Sequence, residues 1–336
     1  MAIKKCAVTG ATGHIGNVLI RLLLERGNAV RAIVLPNDNL KPIEGLNVEV
    51  VTADITDKAG ITQALKGVDV VFHLAGIITI MPNMKAVLEK VNIEGTRNVV
   101  AACRAAGVRR LVYTSSTDAI APPPRGVPID ESLPFKPESV IGDYAWSKAR
   151  SSLMLLDESK KKGLDIIICC PTAVTGPYDF NVSNVGQLII DYDNGRVKTY
   201  VKGAYDFLDV RDAANGLILA AEKGKNGRHY ILSGAQVKVV DFMKELARQT
   251  GRPAPRFMIP TLLARTAGAL ASVYYRLINR KPVFTAYSIE VLAGNSLISS
   301  ARARQELGFT SRRWQESAHD QLEWFRKQGM TQRKKR

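Results

Sequence analysis

The chain has 336 residues, 46% of them hydrophobic, enough for one large α/β unit with a smaller appended lobe and a sizeable core. Its four cysteines, Cys6, Cys103, Cys169 and Cys170, lack metal-ligand spacing, which argues for reduced thiols and against a zinc site or a disulfide framework. The net charge is +16, and residues 252–336 carry 16 Lys and Arg against 5 Asp and Glu, so +11 of it lies in this last stretch. Such a surface attracts anions, but no nucleic-acid-binding motif accompanies it and no nucleic-acid partner is expected.

Apolar, β-branched runs at 4–9, 29–35, 48–52, 68–74, 110–114 and 165–170 read as strands, with helical patterns at 14–26, 61–66, 84–106 and 144–162 lying between most of them. That alternation predicts a doubly wound parallel sheet covered by helices on both faces, with ligands beyond the carboxyl ends of the strands. The first strand runs into Gly10, Thr12, Gly13, His14, Ile15 and Gly16, which open a helical pattern, so the loop lies where a dinucleotide pyrophosphate meets a helix N-terminus. No basic segment followed by an apolar stretch and a cleavage site precedes that strand, and a cytoplasmic protein is the expectation.

After Pro171 the pattern loosens. Thr175-Gly176-Pro177-Tyr178 reads as a turn, 184–191 as a helix, 206–208 as the lead into a helix at 211–223, and 229–232 as a strand returning to the main sheet. The reading is a Rossmann-type dinucleotide-binding domain over 1–178, with 206–235 returning to it. A mainly helical substrate lobe takes 179–205 and 236–328, and 329–336 is a basic tail expected to be disordered. In the stretch 260–278 only ten residues separate Arg265 from Arg276, far fewer than the roughly 20 that span a bilayer. It is expected to be a lid helix, with weak peripheral contact to an anionic membrane surface as the alternative.

Tyr144 and Lys148 stand four residues apart on a predicted helix and therefore share a face. The ammonium charge there favours the phenolate, lowering a tyrosine pKa of about 10 towards the acid/base range. Ser116 ends a strand 28 residues earlier, with Ser115 as its rival because successive strand residues face opposite ways.

With these motifs in this order the chain resembles the short-chain dehydrogenase/reductase superfamily in its extended form, nearest the dihydroflavonol reductase-like branch of the epimerase/dehydratase proteins. The matching stretches are Thr9 to Gly16, Asp54-Ile55, His73 to Gly76, Val91 to Thr96, Tyr113 to Ser116, Tyr144 to Lys148, Pro171 to Pro177 and Leu208 to Ala213. The resemblance implies Ser116, Tyr144 and Lys148 as the catalytic set. It implies a cofactor site built from Gly10, Thr12, Gly13, His14, Ile15, Gly16, Asp54, Ile55, Leu74, Ala75, Gly76, Lys148, Pro171 and Val174, with no metal. Asn92 is expected either to support the site or to tie helix to sheet, His73 to satisfy a core hydrogen bond, and Asp209 and Asp212 to cap a helix. A homodimer through two long helices is common in the superfamily.

NAD-preferring relatives end the second strand with Asp, and dihydroflavonol reductases place Arg just beyond it. Here the stretch is Val34-Leu35-Pro36-Asn37-Asp38, with neither signal in register. Without an acid there, and with Arg31 and Lys41 nearby, the site leans to NADP over NAD. The implied activity is carbonyl reduction, or the reverse alcohol oxidation, on a small apolar substrate. A nucleotide-sugar epimerase or dehydratase with retained NAD is the alternative, and a non-catalytic redox sensor the third. Many sugar-nucleotide relatives carry Arg-Asn after the sixth strand, whereas this chain has Cys170-Pro171-Thr172-Ala173, and its loop at 77–82 is apolar.

Overall fold

A computed structural model describes residues 3–79, 81–124, 126–260, 263, 292 and 294–331. Most of the 260–278 stretch, Ile80 and the tail beyond residue 331 lie outside the described residues.

The first half is the expected alternation. It runs β1 (Lys5–Thr9), α1 (His14–Glu25), β2 (Ala29–Val34), β3 (Glu49–Thr52), α2 (Lys58–Ala64) and β4 (Val70–His73), then α3 (Lys85–Leu88), a π-helical turn (Glu89–Glu94) and α4 (Gly95–Ala105). Next come β5 (Arg110–Thr114), α5 (Asp143–Ser159) and β6 (Asp165–Pro171), and β10 (His229–Leu232) completes the sheet. The seven strands stand in the order β10-β6-β5-β4-β1-β2-β3, all parallel, so the strand order reverses beside β1. A crevice opens at that reversal, beyond the carboxyl ends of β1 and β4.

Both sheet faces are buried, which is why the strands read as nearly continuous apolar runs. On one face Leu19, Ile20 and Leu23 of α1 pack with Leu217 and Ile218 of α7 (Val210–Lys223); full burial of each such side chain contributes about 1.5–3 kcal/mol. On the other, Val99 and Cys103 of α4 and Leu155 of α5 close over Tyr113 and Ile168. The first of these cores also takes Ala303, Leu307 and Phe309, from a second π-helical turn (Ala303–Leu307) and the residues after it.

The rest of the chain adds small sheets that the sequence does not announce. One joins β7 (Ala173–Thr175), β9 (Ala204–Asp209) and β11 (Ala235–Lys238), and another pairs β8 (Thr199–Val201) with β12 (Phe257–Ile259). Around them lie α6 (Asn184–Asp193), α8 (Val239–Thr250) and α9 (Trp314–Lys327). Residues 206–208, which read as a lead into a helix, belong to β9; Asp209 then N-caps α7 by accepting from Arg211 N at 2.8 Å.

Candidate active site

The turn from β1 into α1 is packed so closely that side chains are excluded from it. Gly10 has φ 69°, and a Cβ there would stand 2.8 Å from Ala75 N at the end of β4. A Cβ on Gly16 would collide with Gly10 O. Gly13 is the N-cap of α1 and no side chain caps that helix end, so its first amides are left without a side-chain acceptor. Backbone donors at a helix N-terminus, with no Cβ in the way, fit a dinucleotide pyrophosphate. Ile15 is half-buried beside this turn, and His14 Nε2 donates to Pro177 O at 2.9 Å, tying α1 to the loop after β7.

Beneath the loop, His73 is fully buried between Thr9 Oγ1 at 2.8 Å and Thr96 Oγ1 at 3.0 Å. Burial, helped by the charge of Lys148, lowers its pKa to about 3, so the imidazole is neutral and structural. Thr9 Oγ1 also accepts Ala75 N at 3.2 Å, and Leu74 N donates to Thr9 O at 3.2 Å, holding residues 74–76 against the glycine loop.

Lys148 is on the buried side of α5, 5% exposed, where Nζ donates to Thr114 O at 2.8 Å and lies 4.7 Å from the Tyr113 ring centroid. Burial lowers its pKa to about 8. A Cβ on Gly76 would sit 3.7 Å from that nitrogen and 3.1 Å from Asn92 Oδ1, so only a small residue leaves this space open. Tyr144 is half-buried in the first turn of the same helix, and its carbonyl accepts Ser147 Oγ at 2.8 Å. Ser116 follows β5 at the start of a short 3₁₀ turn (Thr117–Ala119), where its hydroxyl accepts Asp118 N at 3.2 Å. Ser115 is spent: its hydroxyl is buried against Ser152 Oγ at 2.8 Å. The end of β5 and the start of α5 thus converge at the mouth of the crevice.

Asn92, in the π-helical turn, ties that turn to the loop after β4 and to α5. Its Oδ1 accepts Ile77 N at 2.8 Å, while Nδ2 donates to Ile77 O and Ser147 Oγ, each at 3.0 Å. Its main-chain carbonyl accepts Thr96 Oγ1 at 2.6 Å and Ser151 Oγ at 2.9 Å. The amide fixes the loop after β4 and, through Ser147, the first turns of α5.

After β3, Asp54 Oδ1 caps Thr56 N at 2.8 Å, and Ile55 is buried against Gly95. Arg31 is not available to a 2′-phosphate: it donates to Ala64 O at 2.7 Å and Lys66 O at 2.8 Å, and pairs with Glu49 at 2.9 Å. Glu49 is its cross-strand partner in the sheet register, a signal the sequence could have yielded. The residue missed there is Asp38, whose Oδ2 accepts Thr12 Oγ1 at 2.7 Å. Asn181 was missed too, with Nδ2 on Thr12 O at 3.3 Å.

Pro171 ends β6 beneath Thr117, whose hydroxyl donates to its carbonyl at 3.5 Å, and Val174 is half-buried on β7. Asp209 is paired with Arg211 at 2.8 Å and Asp212 with Arg312 at 2.7 Å, structural roles at the two ends of the first turn of α7. All four cysteines are buried thiols, and the described residues contain no cluster of metal-ligating side chains. No helix of the described residues is long and apolar enough to cross a membrane.

A crevice of this construction, at the reversal of a parallel sheet and floored by a glycine loop, defines a protein of the Rossmann type. The chain belongs to the NAD dependent epimerase/dehydratase family, whose model matches residues 6–233. It is 36% identical over 327 residues to sterol demethylase protein B of Methylococcus capsulatus, covering 96% of this chain and 98% of that protein. It is 31% identical over 326 residues to a putative dihydroflavonol 4-reductase of Synechocystis sp., covering 96% and 94%. The solved structure of a nucleoside-diphosphate-sugar epimerase from Pseudomonas aeruginosa superposes with TM-score 0.81 at 28% identity, covering 98% of this chain and 100% of that one.

Proposed function

We propose that the chain is an NAD(P)-dependent carbonyl reductase, or alcohol dehydrogenase in the reverse direction, acting on a small apolar substrate. The observation that carries this reading is Lys148: an ammonium buried at the carboxyl end of β5, one helical turn from Tyr144 and next to the space kept open by Gly76.

A nicotinamide dinucleotide held by the backbone amides after Gly13 would supply the hydride chemistry in either direction. Tyr144 gives its phenolic proton to the substrate oxygen, and Ser116 donates a hydrogen bond to that oxygen as charge builds on it. Lys148 stabilises the phenolate left on Tyr144; its fixed seat on Thr114 O keeps the charge in place without reorganisation. Asn92 positions rather than reacts, because its amide is fully engaged by Ile77 and Ser147.

The substrate class follows from the rim. Ile78 is 78% exposed and Met81 half-buried on the loop after β4, and Val174 is half-buried on β7. Such a rim favours an apolar ketone or aldehyde over a polyhydroxylated sugar. The test is a panel of apolar carbonyl compounds followed at 340 nm with NADH and NADPH, run beside UDP-sugars. Interconversion of a UDP-sugar with no net absorbance change would establish the epimerase reading instead.

A further inference from the structure

The loop that leaves β4 is pinned at both ends to the helix that carries Tyr144. At its start, Ile77 N donates to Asn92 Oδ1 at 2.8 Å and Ile77 O accepts Asn92 Nδ2 at 3.0 Å, while the same Nδ2 reaches Ser147 Oγ at 3.0 Å. A Cβ on Gly76, one residue earlier, would stand 3.7 Å from Lys148 Nζ. At its end, Met84 N donates to Asp143 Oδ2 at 2.9 Å, and the next residue, Lys85, holds Nζ 4.4 Å from the Trp146 ring centroid. The loop thus leaves α5 beside Ser147 and Lys148 and comes back to it at Asp143 and Trp146, with Tyr144 in the turn between.

We propose that Asp143 is a positioning residue for Tyr144, and that through its hold on Met84 the apolar part of a substrate, seated on the loop after β4, sets the acid for reaction. The inference rests on the reading above that Tyr144 protonates the carbonyl oxygen. Asp143 and Tyr144 are consecutive in the first turn of α5, so a shift of the carboxylate moves the backbone that carries the phenol. No side chain caps this helix end, whose N-cap is Gly142 at φ 89°, so the first turn takes its placement from contacts such as this one. Lys85 adds a second tie on the same face, since residues 143 and 146 stand one turn apart.

The loop is built to pass a displacement on. Met81 N donates to Thr79 Oγ1 at 3.0 Å and Asn83 adopts φ 63°, so the residues before Met84 form a fixed turn and not slack chain. Ile78, 78% exposed, offers this segment an apolar side chain for a substrate to cover. Binding energy from a part of the substrate that does not react is then used to place the acid, which raises turnover as well as affinity. A loop that only gripped the substrate would lower KM and leave kcat alone.

The test uses the full-length protein, its Asp143→Ala and Asp143→Asn variants, and straight-chain aldehydes from propanal to decanal, followed by nicotinamide absorbance with NADH and with NADPH. In the wild type, kcat should rise with chain length. Asp143→Ala should lose that rise and fall about tenfold or more in kcat on the long aldehydes, with KM changed less, because a small misplacement of a reacting group is costly. Asp143→Asn keeps an oxygen for Met84 N and should restore most of the turnover, which separates the bond from the charge. A flat kcat series in the wild type, a loss confined to KM in Asp143→Ala, or no rescue by Asn overturns the proposal. Amide hydrogen exchange reads the tie without a substrate: Asp143→Ala should speed exchange in residues 84–88 and 143–148 alike. Unchanged exchange in 143–148 overturns the proposal whatever the chemistry. Faster exchange there, with no aldehyde reduced by any of the three proteins, would overturn the reductase reading and the catalytic role with it, while leaving the tie between loop and helix in place.

Discussion

Lys148 Nζ donates to Thr114 O at 2.8 Å, which fixes an ammonium on the last residue of β5, two positions before Ser116. The cation is held by a backbone carbonyl and an aromatic face, not by a carboxylate. Its charge is therefore not cancelled by an acidic partner.

The first prediction concerns that charge. Lys148 titrates at about 8 in the folded protein, below the ordinary lysine value near 10.4, because burial disfavours the ammonium. Between those two values the unfolded chain holds the extra proton, so stability must rise as pH rises through this window. Urea unfolding of the wild type should show this rise, by at most roughly 1.4 kcal/mol per pH unit, and Lys148→Met should lack it. Parallel pH profiles for the two proteins would show that burial does not lower the pKa of Lys148.

The second concerns the acid. Tyr144→Phe keeps the ring and removes the hydroxyl, so turnover on an identified substrate should fall by about a hundredfold or more while dinucleotide binding persists. Near-normal turnover with intact binding would remove Tyr144 from the reaction.

The third separates two glycines that look alike in sequence. A side chain on Gly16 meets the backbone of Gly10, so Gly16→Ala should lower the melting temperature. At Gly13 φ is −69° and a Cβ comes no nearer than 3.2 Å to Gly10 O, so Gly13→Val should fold and lose dinucleotide binding. Thermal melts with cofactor titration check both, and normal binding by Gly13→Val would mean that the loop holds something else.

The fourth concerns Arg312, which binds the Asp212 carboxylate through Nε at 3.0 Å and Nη2 at 2.7 Å. Its removal leaves a carboxylate, its side chain 10% exposed, with one backbone amide as partner among the described residues. Arg312→Leu should cost about 2–4 kcal/mol in chemical denaturation, since an uncompensated buried charge is worse than none. The double variant Arg312→Leu with Asp212→Leu should recover part of the loss.

Much of the sheet was legible because burial on both faces forces long apolar runs, and the return of β10 could be read from 229–232. The glycine loop and the Tyr144–Lys148 spacing were legible because each depends on local geometry. The strands β7, β9 and β11 were not, being three to six residues long and made by pairing between distant segments. The placement of Asp38 was hidden for another reason: a positive φ at Asn37 reverses the chain, and counting from the strand end cannot follow a reversal. The π-helical turn at Asn92 left no mark either, since its hydroxyl partners Thr96 and Ser151 lie on two different helices.

The C-terminal residues Ala303, Leu307 and Phe309 are all but inaccessible to water, wedged among side chains of α7 and β10. The nucleotide-binding half is consequently not a detachable module. Proteolysis or a stop codon ahead of residue 300 would strip three plugs from its interior and expose the apolar faces they cover. A fragment ending after β10 should be recovered as aggregate, so dissection of this protein has to proceed by point substitution in the whole chain.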